Sequence, residues 1–243
     1  MSTPPLFFVD HLPRSPRVRL GGDEGRHAAR VRRLRVGEAV LVSDGLGAVA
    51  DCVVAAVLPD GLELDVVDWR HVPAPDPYLV VVQALAKGER AELAVELATE
   101  LGADEIVPWA ASRSVVQWSD GRAAKALERW RRTAREAAKQ SRRARVPVVP
   151  DLASTEDVVV RLGRGCGLVL HESADASLAQ VALPSSGEVV VVVGPEGGVS
   201  DEELDAFASA GAIAVRMGEP VLRTSTAGAA ALAALSLRLD RWT

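Results

Sequence analysis

The sequence predicts an α/β fold: a C-terminal domain with a mostly parallel sheet covered by helices, preceded by a small N-terminal β-barrel domain. Three observations predict it. Val189–Val193 is a run of five valines. A half-exposed strand would push alternate valines into water, so this run reads as a central strand buried on both faces. From residue 78 onward, strand-like and helical segments alternate, the pattern of a parallel α/β sheet. Before residue 73, short apolar segments are separated by closely spaced turn signals, the pattern of hairpins in a small barrel or sandwich.

In the first part, Glu24–Arg33 is a short, arginine-rich helical segment ending near Gly37. Ala39–Ser43, Val49–Val57 and Leu62–Val67 are strands, joined by turns at Asp44–Gly47 and Pro59–Gly61. Pro73–Pro77 places three prolines in five residues and reads as a stiff linker. The expected organisation is therefore a barrel over 1–72, a linker over 73–77 and an α/β domain over 78–243. In that last part Tyr78–Ala84 is a strand. Arg90–Leu101 is a helix with Leu93, Leu97 and Leu101 at helical spacing and Gly102 at its C′ position. Ile106–Pro108, Val146–Val149, Cys166–Leu170, Val189–Val193 and Ala214–Met217 are further strands. Gly121–Arg145, Asp201–Ala210 and Ala227–Leu239 are helices. Ser200 with Glu203 three residues on spells a capping box at the start of the second of these.

Composition narrows the function classes. At 243 residues, 48% hydrophobic and 25% charged, the chain can bury a core and stay soluble. Two cysteines, Cys52 and Cys166, supply neither metal spacing nor a disulfide framework, which suits a reducing compartment. The N-terminal segment lacks the pattern of a signal peptide, and the valine run is too short to span a membrane. A cytoplasmic location is expected, with no metal and no membrane partner. The net charge of −5 argues weakly against nucleic acid, but local clusters can override a global balance.

Two constellations could carry chemistry. Gly194-Pro195-Glu196-Gly197-Gly198 follows the valine strand, and its glycines allow close backbone approach to a ligand. The dinucleotide, P-loop, triad-hydrolase and zinc-protease fingerprints are all missing. What is left is a glycine turn without a basic residue for phosphate, which suits a less charged, nucleoside-bearing ligand. Met217–Ala227 lies between a strand and a very apolar helix. Its Gly218 and Pro220 stiffen the loop, Thr224, Ser225 and Thr226 can cap the helix or face a ligand, and Arg223 can meet an anion. Alone, the glycine turn reads equally as an ordinary strand-to-helix connection, and Met217–Ala227 reads more readily as an ordinary capped helix with a surface arginine.

Basic residues cluster twice. Arg129, Arg131, Arg132, Arg135, Lys139, Arg142, Arg143 and Arg145 crowd one helix and its exit. Arg14, Arg17, Arg19, Arg26, Arg30, Arg32, Arg33 and Arg35 crowd the small domain. Two such clusters on two domains can clamp one long polyanion, so RNA is the expected partner.

Together these stretches resemble the SPOUT superfamily of S-adenosylmethionine-dependent RNA methyltransferases. They are most similar to the bacterial family that makes 3-methyluridine in 16S ribosomal RNA (the RsmE type). The resemblance covers nearly the whole chain: His27, Val31 and Arg33; Lys87-Gly88; Glu96; Glu100–Ala103; Pro108; Arg113-Ser114; Trp130; Glu136-Ala137; Gln140-Ser141; Pro147; Gly194–Gly198; and Leu222-Arg223-Thr224. It implies a PUA-like β-barrel, a trefoil-knotted α/β domain and a homodimer. It also implies a cofactor held by three loops. These carry Leu170, His171 and Glu172; Gly194, Pro195, Glu196, Gly197 and Gly198; and Met217, Gly218, Val221, Leu222, Arg223, Thr224, Ser225 and Thr226. Pro220 stands where relatives commonly have arginine, and Ser225 where they commonly have glutamate; both read as variation within a working pocket.

The implied reaction is methylation of uracil N3 in 16S ribosomal RNA of the small subunit, with Arg223 as the candidate catalytic residue and no metal. Candidate RNA contacts are Arg14, Arg17, Arg26, Arg30, Arg32, Arg33, Lys87, Arg113, Arg132, Arg135, Lys139, Arg142 and Arg143. His27 and His171 are general-base candidates by residue type alone. The alternatives are a related methyltransferase acting on tRNA, on 23S ribosomal RNA or at a ribose, and a knotted RNA-binding protein without catalysis.

Overall fold

The computed structural model describes residues 3–118 and 120–242. The chain forms two compact units, Met1–Ala74 with Ala138–Val146, and Pro75–Ala137 with Pro147–Thr243.

The first unit holds strands β1 (Leu6–Phe8), β2 (Arg17–Leu20), β3 (Ala39–Ser43), β4 (Ala48–Leu58) and β5 (Gly61–His71) in one sheet of order β1-β3-β4-β5-β2. The hairpins β3–β4 and β4–β5 form where the turn residues place them. Alternation sends Val40, Val42, Ala50, Cys52, Leu62 and Leu64 inward, onto Phe7 and Leu20. The sheet is mixed, however, because β1 runs parallel to β3, with Leu6 opposite Leu41. A three-residue strand buried along its whole length shows no alternation by which to recognise it. Gly25 and Gly61 both abut the Leu20 carbonyl so closely that a Cβ at either would collide with it. Burial, reinforced by Asp51, pushes the Cys52 thiol up to about 11, so it acts as an inert apolar side chain.

The arginine-rich segment after β2 is helical, but in two pieces. The five-residue helix α1 (Gly22–Arg26) runs into a π-helical turn, His27–Val31. Arg33 then takes a left-handed backbone, φ +55°.

The second unit holds β6 (Tyr78–Ala84), α2 (Glu89–Glu100), β7 (Glu105–Trp109), α3 (Asp120–Gln140), α4 (Thr155–Leu162), β8 (Cys166–Leu170) and β9 (Ala176–Ser177). Then come β10 (Glu188–Val193), α5 (Asp201–Ser209), β11 (Ile213–Arg216) and α6 (Thr224–Arg238). Its six strands, ordered β7-β6-β10-β8-β11-β9, are parallel throughout. Val189–Val193 are each at most 1% exposed. Val189, Val191 and Val193 pack with α2, α3 and α6 through Val95, Trp130 and Leu232. Val190 and Val192 pack with α4 and α5 through Leu162 and Phe207.

Three expectations need correcting. The helix expected over Gly121–Arg145 stops at Gln140: Arg142 turns left-handed, φ +58°, and the Arg143 N–H donates to the Ala138 carbonyl. The released chain joins the first unit. There Ser43 Oγ donates to the Ala144 carbonyl at 3.0 Å, and the Arg145 guanidinium donates to the carbonyls of Leu46 and Val72. A linear division at the proline-rich stretch does not contain this arrangement.

Val146–Val149 makes one isolated bridge, Val148 to Glu105, rather than a strand, because Pro147 and Pro150 remove ladder donors. Finally, α2 buries Ala91, Ala94, Val95, Ala98 and Thr99, whereas Leu93 is 41% exposed and Leu97 half-buried. The α2 core face is built of small residues, and the leucine spacing marks the helix without marking its buried face. Helix α4 carried a readable signal in its Ser154–Asp157 capping box.

At α5 the capping box forms as spelled. Ser200 Oγ accepts from Glu203 N at 3.2 Å, and Glu203 Oε2 accepts from Ser200 N at 3.0 Å. The same buried carboxylate accepts from Ser112 N at 2.8 Å and from Thr155 Oγ1 at 3.2 Å, tying α5 to α4 and to the segment after β7. Glu203→Ala should therefore cost about 2–3 kcal/mol, against about 1 kcal/mol for Ser200→Ala. Urea denaturation of both variants checks the ranking; equal losses would show that the cap alone matters.

Candidate functional site

Strands β10, β8 and β11 are neighbours and parallel, so their C-terminal ends open on one edge of the sheet. In open parallel sheets this edge is where ligands bind. The three loops that leave it surround a recess of about 340 Å³. From the first come Leu170, His171 and Glu172; from the second, Gly194, Pro195, Glu196 and Gly198; from the third, Met217, Gly218, Pro220, Val221, Leu222, Arg223 and Thr224. Val193, Val199, Val215, Arg216, Ala227 and Arg90 complete the wall. Gly197, Ser225 and Thr226, expected at the same site, do not line it. Gly197 lies against Arg113, where an added Cβ would stand 3.2 Å from both the Arg113 Cβ and its carbonyl oxygen.

Each loop is set by local chemistry. The glycine turn closes with Gly198 N donating to the Pro195 carbonyl at 2.9 Å, and Gly198 has φ +74°. At Gly194 a Cβ would come 2.8 Å from Val199 Cγ2, so the strand exit admits only glycine without a shift. His171 N donates to the Val215 carbonyl at 3.1 Å, holding the first loop beside β11. The His171 ring takes a hydrogen bond from Ser173 N to Nδ1 at 3.2 Å. In the neutral ring this places the proton on Nε2, making His171 a donor toward a ligand rather than a base.

Sequence reasoning missed the clip between the second and third loops. Thr224 Oγ1 donates to the Gly194 carbonyl at 2.8 Å and accepts from Gln83 Nε2 at 3.0 Å. Gln83 is 2% exposed and also donates to the Ala84 carbonyl at 3.2 Å. A lone glutamine inside the apolar run Tyr78–Ala84 was the available signal. The expected capping of α6 by its own hydroxyls does not occur: Arg223 is the N-cap, and it makes no side-chain cap. Thr224 is committed to the loop clip instead, and the positive end of α6 meets the recess uncapped by a side chain.

Charge around the recess is mixed. Glu172 and Glu196 line it with Arg90, Arg216 and Arg223. Arg90, also missed from sequence, stands 3.9 Å from Glu196 and offsets its charge. Arg223 is exposed and has no protein partner for its guanidinium among the described residues. Beside it Val221 and Leu222 are 75% and 41% exposed, an apolar lip at the mouth. Among the described residues no cluster of His, Cys, Asp and Glu could hold a metal ion.

The other basic residues sort by partner. Arg17 pairs with Asp65 at 2.8 Å, Arg26 with Asp23, and Lys139 with Glu24 at 2.9 Å. Arg30 donates to the Pro59 carbonyl at 3.0 Å and Arg113 to the Val199 carbonyl at 3.4 Å. Arg135 and Arg143 are engaged as well. Arg14, Arg32, Arg33, Lys87, Arg132 and Arg142 are exposed. Within the first unit, His27, Arg32, Lys139 and Arg142 border a second recess of about 220 Å³.

Comparison with known proteins agrees with this architecture. Residues 74–236 match the model of an RNA methyltransferase domain, and residues 20–67 that of an RNA methyltransferase PUA domain. The chain is 48% identical to the ribosomal RNA small subunit methyltransferase E of Mycobacterium bovis, covering 98% of this chain and 93% of that one. Its counterpart in Bacillus subtilis is 31% identical over 96% of each chain. Among solved structures, a ribosomal RNA small subunit methyltransferase E from Neisseria gonorrhoeae bound to S-adenosylmethionine superposes with TM-score 0.85 at 28% identity, over 97% of this chain and 98% of that one. A putative methyltransferase from Legionella pneumophila shares the fold, with TM-score 0.86 at 24% identity over 98% of each chain. The chain belongs to the ribosomal RNA small subunit methyltransferase E family of RNA methyltransferases, with a PUA domain at its N-terminal end.

Proposed function

We propose that this chain transfers the methyl group of S-adenosylmethionine to N3 of a uridine in 16S ribosomal RNA of the small subunit. The observation that carries the reading is the convergence of three loops on one recess in a chain of this family. The recess has the size of a small-molecule site. Its residues fit the cofactor: apolar walls at Val193, Val215 and Ala227, a glycine turn that lets backbone approach, and carboxylates Glu172 and Glu196 suited to a cationic ligand. Nothing around it resembles a polyphosphate cradle. The bound cofactor supplies a methyl group already activated by its sulfonium.

The chain then has two tasks, to orient the acceptor and to favour loss of the N3 proton, because a neutral imide nitrogen is a poor nucleophile. Arg223, at the mouth and without a partner among the described residues, stabilises the charge that spreads to the uracil oxygens as the proton leaves. Val221 and Leu222 offer an apolar surface for the base. The Thr224 clip holds the two loops in register, so that the methyl donor is presented at a fixed angle.

The same reading makes the protein a cytoplasmic homodimer whose C-terminal backbone is threaded as a trefoil knot. Exposed Leu93 on α2, Leu237 on α6 and Trp242 support self-association. Sedimentation equilibrium should give a dimer; a monomer at micromolar concentration would remove that part of the reading.

Small subunits from a strain deleted for the gene, incubated with the protein and labelled cofactor, should gain 3-methyluridine at one position, read by mass mapping. Methyl found on a ribose, on another base or only on tRNA overturns the N3 assignment. Undetectable cofactor binding by calorimetry overturns catalysis itself. Arg223→Ala should slow single-turnover methylation by roughly a hundredfold with little change in cofactor affinity. Thr224→Val strips both clip hydrogen bonds at nearly constant shape and should weaken cofactor binding about tenfold. Unchanged affinity in that variant would show that the clip does not preorganise the pocket.

A further inference from the structure

The second recess joins parts of the sequence that lie more than a hundred residues apart. His27 comes from the π-helical turn and Arg32 from just beyond it. Lys139 comes from the last turn of α3, and Arg142 from the left-handed residue that ends it. Strand β1 supplies the apolar floor through Leu6 and Phe7. In sequence these cations belong to two clusters assigned to two domains, yet both contribute to one cavity inside the first unit.

Its charge is unbalanced. Lys139 pairs with Glu24 at 2.9 Å, and both side chains are largely buried, so this pair cancels internally. The guanidiniums of Arg32 and Arg142 meet no carboxylate among the described residues, and no acidic side chain lines the cavity. The backbone is unusual at the same place. A π-helical turn, costly and commonly found at functional sites, carries His27. Arg142, at φ +58°, occupies a conformation in which glycine or asparagine is preferred. A left-handed arginine whose guanidinium has no partner among the described residues is one whose side chain is wanted at that place.

We infer that His27, Arg32, Lys139 and Arg142 form a subsite for a backbone phosphate of the RNA substrate. Two guanidiniums present forked donors to the phosphate oxygens, and the imidazole adds a third donor group. The Lys139–Glu24 pair fixes one wall and leaves the net positive charge of the cavity to the two guanidiniums. The inference rests on the proposed rRNA methyltransferase function and deepens it by naming where the PUA unit grips the RNA.

The test separates binding from folding through Arg142→Gly, which deletes the guanidinium while relieving the left-handed strain. The full-length Arg32→Ala/Arg142→Gly protein should melt at or above the wild-type temperature and keep its cofactor affinity. Its binding of 16S ribosomal RNA, measured over a salt series, should weaken roughly tenfold at moderate salt, and the log–log salt slope should fall by about 0.7–0.9, as one lost phosphate contact requires. Arg164→Ala, at an exposed arginine of the other unit, should change neither quantity.

If wild type methylates the RNA and the double variant binds it with the same affinity and slope, the subsite is overturned while the function stands. If wild type binds no RNA, both fall. Thermal stabilisation by inorganic phosphate that disappears in the variant, with RNA affinity unchanged, would show a free-anion site and overturn the RNA assignment. Competition by polyglutamate as effective as competition by RNA would point to an acidic protein partner and overturn it as well.

Discussion

The second unit depends on β10 being buried on both faces. A strand of consecutive valines can only sit between two layers of helix, and here it sits between β6 and β8 with a helical layer on each side. Several consequences follow. Parallel neighbours put all strand exits on one edge, so the loops after β8, β10 and β11 arrive together without any loop having to be long. The exit of the most buried strand must turn at once, because Val199 crowds it, and Gly194 is what that crowding permits. The recess is thus a by-product of packing before it is a binding site. Only its details, the Thr224 clip and the charges at the mouth, are choices the core does not impose.

Much of this was legible in the sequence, and the parts that were not have physical reasons. Runs such as Tyr78–Ala84, Cys166–Leu170 and Glu188–Val193 announce themselves because burial on both faces leaves only apolar side chains. The capping box of α5 is legible because its two residues are three apart and bond each other. The leucines of α2 mark the helix but not its buried face, because spacing says that a face exists, not which neighbour it meets. Where a helix packs closely, alanines and a threonine make the buried face, and the leucines are left for something else. The end of α3 was illegible because it is decided by one backbone angle at Arg142, and nothing about an arginine predicts a positive φ.

The candidate site divides in the same way. Glycine turns and the Leu222-Arg223-Thr224 loop are local signals and could be read. Arg90 and Gln83 could not be assigned, because their partners Glu196 and Thr224 are more than a hundred residues away and are brought near only by the sheet order. Ser225 is instructive in another respect. Its side chain is buried and absent from the wall of the recess, so a serine here packs into the structure without forming the described pocket. Pro220 does border the recess, at an exposed lip where a stiff residue fixes the loop and an arginine would add charge.

The net charge of −5 would suggest a protein that avoids nucleic acid, and the resolution lies in how the carboxylates are distributed. Asp65, Asp60, Asp23, Glu24, Glu92 and Asp151 each hold a particular cation, Arg17, Arg19, Arg26, Lys139, Arg129 and Arg131. Most of these pairs are exposed and contribute little to stability. Their effect is to sort the arginines into those already neutralised and those that are not. Among the described residues Arg223 at the first recess, and Arg32 and Arg142 at the second, fall in the second group. An excess of acid elsewhere does not cancel such sites, because at physiological salt a charge more than about 8 Å away is largely screened. A polyanion would therefore meet unpaired guanidinium at each recess despite the chain's net negative charge. That contrast favours binding at defined points over indiscriminate adsorption, as the proposed methylation of one uridine requires.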